Sequence, residues 1–325
     1  FTLNTLLANL VASSAIENET INVFSLRSSL AQRLGVTLEQ PYPSSDRSEG
    51  LANIMLDALN DVKQPLTVER LMQWHRWLFN DPDWTMQRLR IGQLRGAEPM
   101  QVVSGRLDYP KVHFEAPPRA GLEDRLNAFI AWFNQSLNDS LLDPLLRAGI
   151  THLWFITLHP FDDGNGRITR TLTDLALAQM DEQSIRLYAM STAILNKRKS
   201  YYEILEQTQK NDSDITDWLV WFLDTLNDSL EKTLAQINRT LFKSQFWHKY
   251  SNLALSEEQR KVLNRLLDGG ENGFEHGISA SQYQKVAKVS KATATRHLSD
   301  LLEKECIVKL EGGGRNTRYQ INTQL

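Results

Sequence analysis

The sequence has 325 residues, of which 41% are hydrophobic and 23% charged, with a net charge of −3 at pH 7. This balance is typical of an ordinary globular protein of about two or three domains and excludes a largely disordered chain. The single cysteine, Cys306, excludes an intrachain disulfide and any metal site built from several cysteines. No apolar run reaches the roughly 18 residues that span a bilayer, and no signal peptide opens the chain, so we expect a cytoplasmic protein without membrane association.

Amphipathic helices are predicted in the first part of the chain, at residues 3–16, 23–34, 51–62 and 68–79, with Gly35 ending the second. Residues 39–49 contain two prolines and three serines and predict a surface loop. Thr67 begins the fourth helix, and Glu69 is the nearest candidate for its capping-box partner. Taken alone, residues 13–18 are a helix terminus whose serine and asparagine side chains make local hydrogen bonds.

One hairpin is predicted within residues 99–117, where Val102-Val103 and Val112-His113-Phe114 flank a turn region. An exposed hairpin edge can bind an extended segment of another chain through main-chain hydrogen bonds. The residues leave two readings open: a surface that binds a partner, or a hairpin that only covers the core.

Two helices, at residues 145–158 and 168–180, are predicted on either side of a short break at Gly164-Asn165-Gly166. The first amides of the second helix lack intrahelical partners and the helix dipole is positive there, so this break suits a phosphate group. Arg167 and Arg170 lie one turn apart and can reach the same anion with fork-shaped guanidinium groups.

Two further side chains in this stretch suit phosphate chemistry. Asp163 would repel the anion unless a divalent cation lay between them, and Mg²⁺ is usually held by one or two carboxylates together with substrate phosphates. His159, at the end of the first helix, is the natural general base for a hydroxyl that attacks the phosphate. A metal pair of His152 with His159 is rejected, because further ligands are lacking; His152 is predicted to lie in the core.

Residues 159–170 also resemble, at every defined position, the signature H-P-F-x-(D/E)-G-N-G-R-x-x-R of the Fic family, whose members typically transfer AMP from ATP to a protein hydroxyl. The resemblance implies His159 as the catalytic base, Asp163 as the ligand of Mg²⁺, and the following residues as ligands of ATP: Gly164, Asn165, Gly166, Arg167 and Arg170. Relatives that phosphorylate instead tend to carry lysine at the position of Gly166, so glycine favours AMP transfer.

The same resemblance assigns roles elsewhere in the chain. Ser13, Glu17 and Asn18 fill the pattern S/T-x-x-x-E-G/N of the family's inhibitory motif, in which Glu17 would pair with Arg170 and prevent a productive ATP pose. The hairpin corresponds to the family's flap for the target protein, with Val103, Ser104, Gly105, Val112 and His113 as docking residues. In the helix predicted at residues 199–209, Tyr202 and Gln209 would line the adenine pocket.

The C-terminal residues predict a long helix, or two, at 214–241 and then a helix, a helix-turn-helix and a two-stranded hairpin, which are the parts of a winged helix. The predicted recognition helix begins at Lys291-Ala292-Thr293-Ala294-Thr295-Arg296-His297, and Arg315 and Arg318 lie in the wing. From Ser256 onward there are 11 basic and 9 acidic side chains, which is a small excess for a DNA-binding surface. Binding to DNA and binding to a protein both stay open.

The sequence therefore predicts a mostly α protein: a helical region with the inhibitory motif at 1–65, a Fic-type core with a β-hairpin flap at 66–241, and a linker and winged helix at 242–325. The resemblance implies an autoinhibited protein adenylyltransferase that uses ATP and Mg²⁺ to modify a serine, threonine or tyrosine of a target protein, or of itself. The alternatives are removal of AMP, with Glu17 acting on a water, and a nucleotide-sensing DNA-binding regulator. Formation of a homodimer is left open.

Overall fold

The computed structural model describes residues 2–80, 89–106, 109–181, 188–210, 213–269, 274, 276–310 and 317–324. These residues are mostly helical, as predicted, and divide into two compact units, Phe1–Glu231 and Lys232–Leu325. This division falls within one long helix. The domain boundaries after residues 65 and 241 stay predictions.

The first unit is built from helices with one two-stranded sheet. Its described elements are α1 (Thr2–Ile16), α2 (Val23–Arg33), α3 (Asp46–Asn60), α4 (Val68–Leu78), β1 (Gln101–Arg106), β2 (Tyr109–Glu115), α5 (Leu122–Gln135), a 3-10 turn (Ser136–Asn138), α6 (Pro144–Leu158), α7 (Asn165–Asp181), α8 (Met190–Asn196), α9 (Arg198–Lys210) and the beginning of α10 (Thr216–Lys249).

Local capping explains where the structure departs from the predicted elements. The predicted loop at 39–49 is wrong for its last residues, because Ser45 accepts a hydrogen bond from the amide of Ser48 and α3 begins at Asp46. The capping box expected with Glu69 is also wrong. Thr67 caps the amide of Arg70, whose side chain turns away to bind Asp57. Helix α8 was not predicted.

The core of the first unit surrounds α6 and α7, which pack against each other. Along α7, Leu172 and the stretch from Leu175 to Ala178 are buried. Helix α1 belongs to the same core, to which it contributes Leu6, Leu10 and Ile16. A buried hydrogen bond from Asn9 Nδ2 to Asp174 Oδ2 of 2.8 Å ties α1 directly to α7. The N-terminal helix is therefore an integral part of this unit.

The predicted hairpin is present as β1 and β2, which pair antiparallel from Gln101↔Glu115 to Arg106↔Tyr109. The register shifts between Val102 and Val103, so His113 is the extra residue of a β-bulge. The side chains of residues 103–106 and 109–111 lie outside the described part, and of the docking residues predicted here only Val112 and His113 have described side chains.

The second unit has its own core, in which Phe246, Val262, Tyr283, Leu298 and Ile307 are buried. After α10 come α11 (Glu257–Asp268), α12 (Ala280–Ala287), α13 (Lys291–Glu303), β3 (Ile307–Lys309) and β4 (Tyr319–Ile321). The two strands pair antiparallel, and Ile278 forms an additional bridge to Tyr319. These elements follow the order that a winged helix requires. None of the described helices in either unit is long and apolar enough to cross a membrane.

Candidate active site

The loop between α6 and α7 is closed by its own side chains. His159 caps α6 in the left-handed region at φ 49°, and Gly164 before α7 has φ 80°. Asn165 holds the two ends of the loop together, because its amide oxygen accepts from Phe161 N at 3.0 Å and its amide nitrogen donates to Phe161 O at 2.9 Å. In this conformation the Asn165 side chain positions the loop, whereas the sequence analysis assigned this residue to the nucleotide.

His159 has the tautomer that a general base needs. Its Nδ1 lies 3.0 Å from the carbonyl oxygen of Ile156, which assigns the ring proton to Nδ1 and leaves the lone pair on Nε2. Burial lowers the pKa of His159, and the hydrogen bond to Ile156 only partly opposes this. The ring is therefore neutral near pH 7 and able to accept a proton. Phe114 of the hairpin is its aromatic neighbour, with ring centroids 6.4 Å apart.

Two buried residues that the sequence analysis missed hold this loop from outside. His75 on α4 stacks on Phe161 at 4.3 Å and accepts from Gly92 N on Nδ1, so its Nε2–H donates to the carbonyl of Asp163 at 3.2 Å. Burial lowers the pKa of His75 to about 4, which keeps this donor and acceptor pattern at neutral pH. Arg95 donates from Nε to the carbonyl of His159 at 2.8 Å. Helical periodicity does not predict the role of His75 or of Arg95, because each binds a backbone carbonyl that is distant in the sequence.

Arg170 on α7 is bound to the end of α1, as the resemblance implied. Its Nη2 lies 2.9 Å from Glu17 Oε1 and donates to the backbone carbonyl of Ser13 at 2.8 Å. Its Nε donates to Ser13 Oγ, also at 2.8 Å. The Arg170 side chain is only 2% exposed. Burial by itself lowers the pKa of Arg170, but the nearby Glu17 carboxylate outweighs it and the pKa is raised. The guanidinium is thus fully charged and its ion pair is intact.

The Glu17 carboxylate also covers the start of α7. A Cβ atom placed on Gly166 would collide with Glu17 Oε1, so the carboxylate lies directly against the glycine backbone. An anion that approaches the first amides of α7 needs this space. Glu17 therefore occupies the position where the sequence predicts a phosphate.

The turn after α1 explains why the third motif position is Gly or Asn. Asn18 has φ 60°, a left-handed conformation that asparagine tolerates better than most residues. The amide of Asn18 donates to Ala15 and that of Glu19 donates to Ser14, both at 3.0 Å. We call residues 17–22, between α1 and α2, the acidic segment.

Arg167 is held by a residue that the sequence analysis did not identify. Its Nη1 donates to Glu19 Oε2 at 2.6 Å, and the same oxygen accepts from Arg47 Nη2 of α3 at 2.7 Å. In this conformation each arginine meets its own carboxylate, and the expectation that Arg167 and Arg170 reach over one bound anion stays a prediction. A signal was present in the sequence: Glu17 and Glu19 follow the C-terminus of a helix, where the dipole disfavours negative charge unless cations compensate it.

Unpaired donors remain in this cluster. Within the described part of the chain, Arg167 Nε and Nη2 and Arg170 Nη1 are buried without a hydrogen-bond acceptor. A buried guanidinium donor without an acceptor is costly, and this cost favours the entry of an anion.

Asp163 is the predicted metal ligand. Its carboxylate is 48% exposed, accepts from Gly164 N through Oδ1, and has Oδ2 at 3.8 Å from Arg167 Nη2. Among the described residues, no group of three or more acidic, histidine or cysteine side chains is arranged so that it could hold a metal ion. One exposed carboxylate beside a phosphate site suits Mg²⁺ that is shared with a nucleotide, and it does not suit a metal held by the protein alone.

The remaining predicted residues lie around this cluster. Tyr202 on α9 donates through its hydroxyl to the carbonyl of Ile16 at 3.2 Å, so it contacts the end of α1. Gln209 donates to Thr157 Oγ1 at 3.1 Å, two residues before His159. His113 of the hairpin binds Glu206 of α9 at 2.5 Å, so this ring nitrogen is engaged within the protein. His152 is fully buried against Thr173 and Tyr201, as predicted for a core residue.

The predicted DNA-contacting residues receive little support. His297 binds the hydroxyl of Tyr283 through Nδ1 at 3.0 Å, and Arg318 donates to the carbonyl of Gly277 at 2.9 Å. Each of these two side chains thus makes a contact within the second unit, although Arg318 is exposed, and their role toward DNA stays a prediction. Lys291 and Arg296 are exposed on α13, and Arg315 lies outside the described residues.

Comparison with known proteins agrees with the signature. Residues 65–177 match the Fic/DOC family, and residues 1–36 match a domain of unknown function, DUF4172. The protein adenylyltransferase Fic of Nematostella vectensis is 30% identical over 117 residues, which are 36% of this chain and 26% of that protein. The Drosophila yakuba protein of the same name is 26% identical over 224 residues, which are 68% of this chain and 40% of that protein. The chain therefore covers less than half of the length of these curated relatives.

Two crystal structures share the fold. A Fic family protein from Desulfovibrio desulfuricans matches with a TM-score of 0.54 and 20% identity, over 98% of this chain and 87% of that one. A Fic-domain signalling protein from Bacteroides thetaiotaomicron matches with a TM-score of 0.52 and 19% identity, over 72% of this chain and 85% of that one. The complete signature at the α6–α7 loop lies within residues 65–177, the part of the chain that matches the Fic/DOC family.

Proposed function

We propose that this protein transfers AMP from ATP to a hydroxyl side chain of a target protein and that it is autoinhibited in the conformation described. The observation that carries this proposal is the free Nε2 of His159, on the same loop as an anion site formed by Gly166, Arg167 and Arg170. A proton acceptor beside a phosphate site is what transfer to a hydroxyl requires. The relatives named protein adenylyltransferase support the same reaction.

The reaction balances without another reactant. The hydroxyl of a serine, threonine or tyrosine loses its proton to Nε2 of His159, and its oxygen forms a bond to the α-phosphorus of ATP. The bond between the α-phosphorus and the bridging oxygen breaks, and pyrophosphate leaves. Arg167 and Arg170 stabilise the negative charge that develops on the departing phosphates. The hairpin, with Phe114 beside His159, is the surface on which the target's main chain would dock.

Asp163 would hold Mg²⁺ together with the phosphates, and the ion would neutralise charge on the leaving pyrophosphate. The bond between Asp163 Oδ1 and the amide of Gly164 fixes this carboxylate next to the loop. His75 positions the same residue through its backbone carbonyl.

The test uses ATP labelled at the α-phosphate, a cell lysate as the source of targets, and the Glu17→Gly chain, in which Arg170 is released. We expect labelled protein bands that disappear when His159→Ala is added, while binding of ATP measured by calorimetry is largely retained. His248→Ala is the matched control, because this histidine is exposed on α10 and belongs to the second unit. Labelling that persists without His159 would refute its role as the base, and the absence of labelled protein in every variant would refute the proposed function.

A further inference from the structure

Glu19 binds two arginines that come from two different helices. Its Oε2 accepts from Arg167 Nη1 on α7 and from Arg47 Nη2 on α3. Arg47 has no part in the signature of residues 159–170. The structure nevertheless brings its guanidinium to the same carboxylate oxygen as that of Arg167.

The charges in this cluster lie where their own helices disfavour them. Arg47 is in the first turn of α3, whose dipole disfavours a cation, and Glu19 follows the C-terminus of α1, whose dipole disfavours an anion. Neither charge is stabilised by the helix next to it. Arg47 is stabilised by its contact with Glu19, and Glu19 by its contacts with Arg47 and Arg167, so the three residues form a built charge cluster.

Arg167 needs an anion whenever it is charged. Its side chain is 5% exposed, and burial lowers its pKa, with the Glu19 carboxylate as the largest opposing influence. Two of its nitrogens already lack acceptors among the described residues. If Glu19 leaves, Arg167 loses the carboxylate that it binds most closely, and Asp163 at 3.8 Å compensates the buried charge only in part. Another anion must then take the place of the carboxylate.

Resting on the proposed function, we infer that Arg47 and Arg167 form a second phosphate subsite, which Glu19 fills in this conformation and a terminal phosphate of ATP, or of pyrophosphate, fills when the acidic segment moves. Phosphate offers the same kind of oxygen acceptors as a carboxylate, and the guanidinium fork suits both. Both arginines belong to helices of the first unit, whereas Glu17 and Glu19 are on the short connecting segment. One movement of that segment would therefore open the two phosphate subsites together.

The test measures binding of inorganic pyrophosphate, AMP and ATP by calorimetry to the full chain carrying Glu17→Gly and Glu19→Ala. Adding Arg47→Ala should lower the affinity for pyrophosphate and for ATP about tenfold, as expected for one charge-assisted hydrogen bond at a partly exposed site. The affinity for AMP should change less than about twofold, because AMP lacks the terminal phosphates. Arg27→Ala, which removes an exposed arginine from α2, is the control for the change in net charge.

Arg47→Lys keeps a cation on α3 and should therefore recover most of the pyrophosphate affinity that Arg47→Ala loses. This recovery would show that the loss comes from the missing charge and not from misfolding. Pyrophosphate affinity that stays within about twofold after Arg47→Ala, in a chain whose thermal unfolding midpoint is unchanged, would overturn the inference. An equal loss for AMP, or for Arg27→Ala, would overturn it as well. This assay measures binding and does not depend on transfer of AMP. The subsite is therefore supported if pyrophosphate binding depends on Arg47, even when no target protein is labelled in the transfer assay. In that case only the proposed function fails.

Discussion

The contact between Glu17 and Arg170 predicts the largest single gain in activity. Substituting Glu17 by glycine removes the carboxylate that lies on Gly166 and frees one of the two N–H donors of Arg170 Nη2, while the bonds from Nη2 and Nε to Ser13 remain. The arginine therefore keeps its position but acquires an open donor facing the anion site. We expect tighter binding of ATP and faster transfer of AMP.

The magnitude follows from the burial of the two partners. A hydrogen bond to a charged group contributes about 1.5–3 kcal/mol, and ATP must displace this contact before its phosphates reach the arginine. Arg170 is 2% exposed but the Glu17 side chain is 31% exposed, so solvent screening favours the lower end of that range. At about 1.4 kcal/mol for each factor of ten, the substitution should tighten ATP binding roughly tenfold to thirtyfold.

The assay combines calorimetric titration with ATP and transfer of label from ATP labelled at the α-phosphate, including labelling of the protein itself. Glu39→Gly is the matched control, because this glutamate is exposed between α2 and α3 and the change in charge is the same. Glu17→Gln, which keeps the size and loses the charge, should fall between wild type and Glu17→Gly. An ATP affinity within about twofold of wild type, without increased labelling, would refute the inhibitory role of the contact.

Three further substitutions test the surroundings of the site. Gly164→Ala should destabilise the chain by roughly 1–3 kcal/mol in denaturant unfolding, because φ is 80° and a Cβ would approach Leu78 Cδ2 to 2.6 Å. Gly35→Ala is the control: φ is 67° and the space around it is open, so only the strained backbone should lower the free energy of unfolding, by a smaller amount. His113→Ala should speed amide hydrogen exchange in β2, because this ring is bound to Glu206 of α9, and unchanged exchange would exclude that anchor. Burial lowers the pKa of His152 from its ordinary value of 6.5 to about 3. Below pH 6.5 this histidine is therefore protonated in the unfolded chain but not in the folded chain, so the free energy of unfolding decreases as the pH decreases. His152→Leu should therefore reduce the loss of unfolding free energy between pH 7 and pH 5 by about 2 kcal/mol, and an identical pH dependence would contradict this origin.

The signature could be read from the sequence because its residues are adjacent along the chain. A break between two apolar helices predicts the ends of α6 and α7, and the chemistry of His159 and Arg170 follows from their positions at those ends. The pairing of Glu17 with Arg170 was implied by the resemblance, and the structure has this contact. The side chain of Asn165 shows the limit of this reading, because a residue in a binding motif can also use its amide oxygen and nitrogen to hold the loop itself.

Contacts between distant segments were not predictable in the same way. Three side chains contact the α6–α7 region or the acidic segment from other elements: Arg47, His75 and Arg95. Helical periodicity predicts those elements one by one and does not indicate which of them meet. Their partners are backbone carbonyls or a single carboxylate, which leave no pattern in the sequence around them. Helix α8 was missed for a related reason: it spans only Met190–Asn196, too short for a clear helical period, and its burial depends on packing against α1.

The position of α1 restricts how the proposed inhibition could be relieved. Leu6, Leu10 and Ile16 are almost completely buried in the core of the first unit, and full burial of such side chains contributes about 1.5–3 kcal/mol each. The three together are of the same order as the whole stability of a domain, about 5–15 kcal/mol, so departure of α1 would unfold the unit instead of activating it. The acidic segment is held less firmly, because Ile21 is only partly buried against the core and the two carboxylates are held by ion pairs that a polyphosphate can replace. Under the proposed function, activation would therefore require only residues 17–22 to move, with α1 still in place. The competition is then between two carboxylates and the phosphates of ATP for the same arginines.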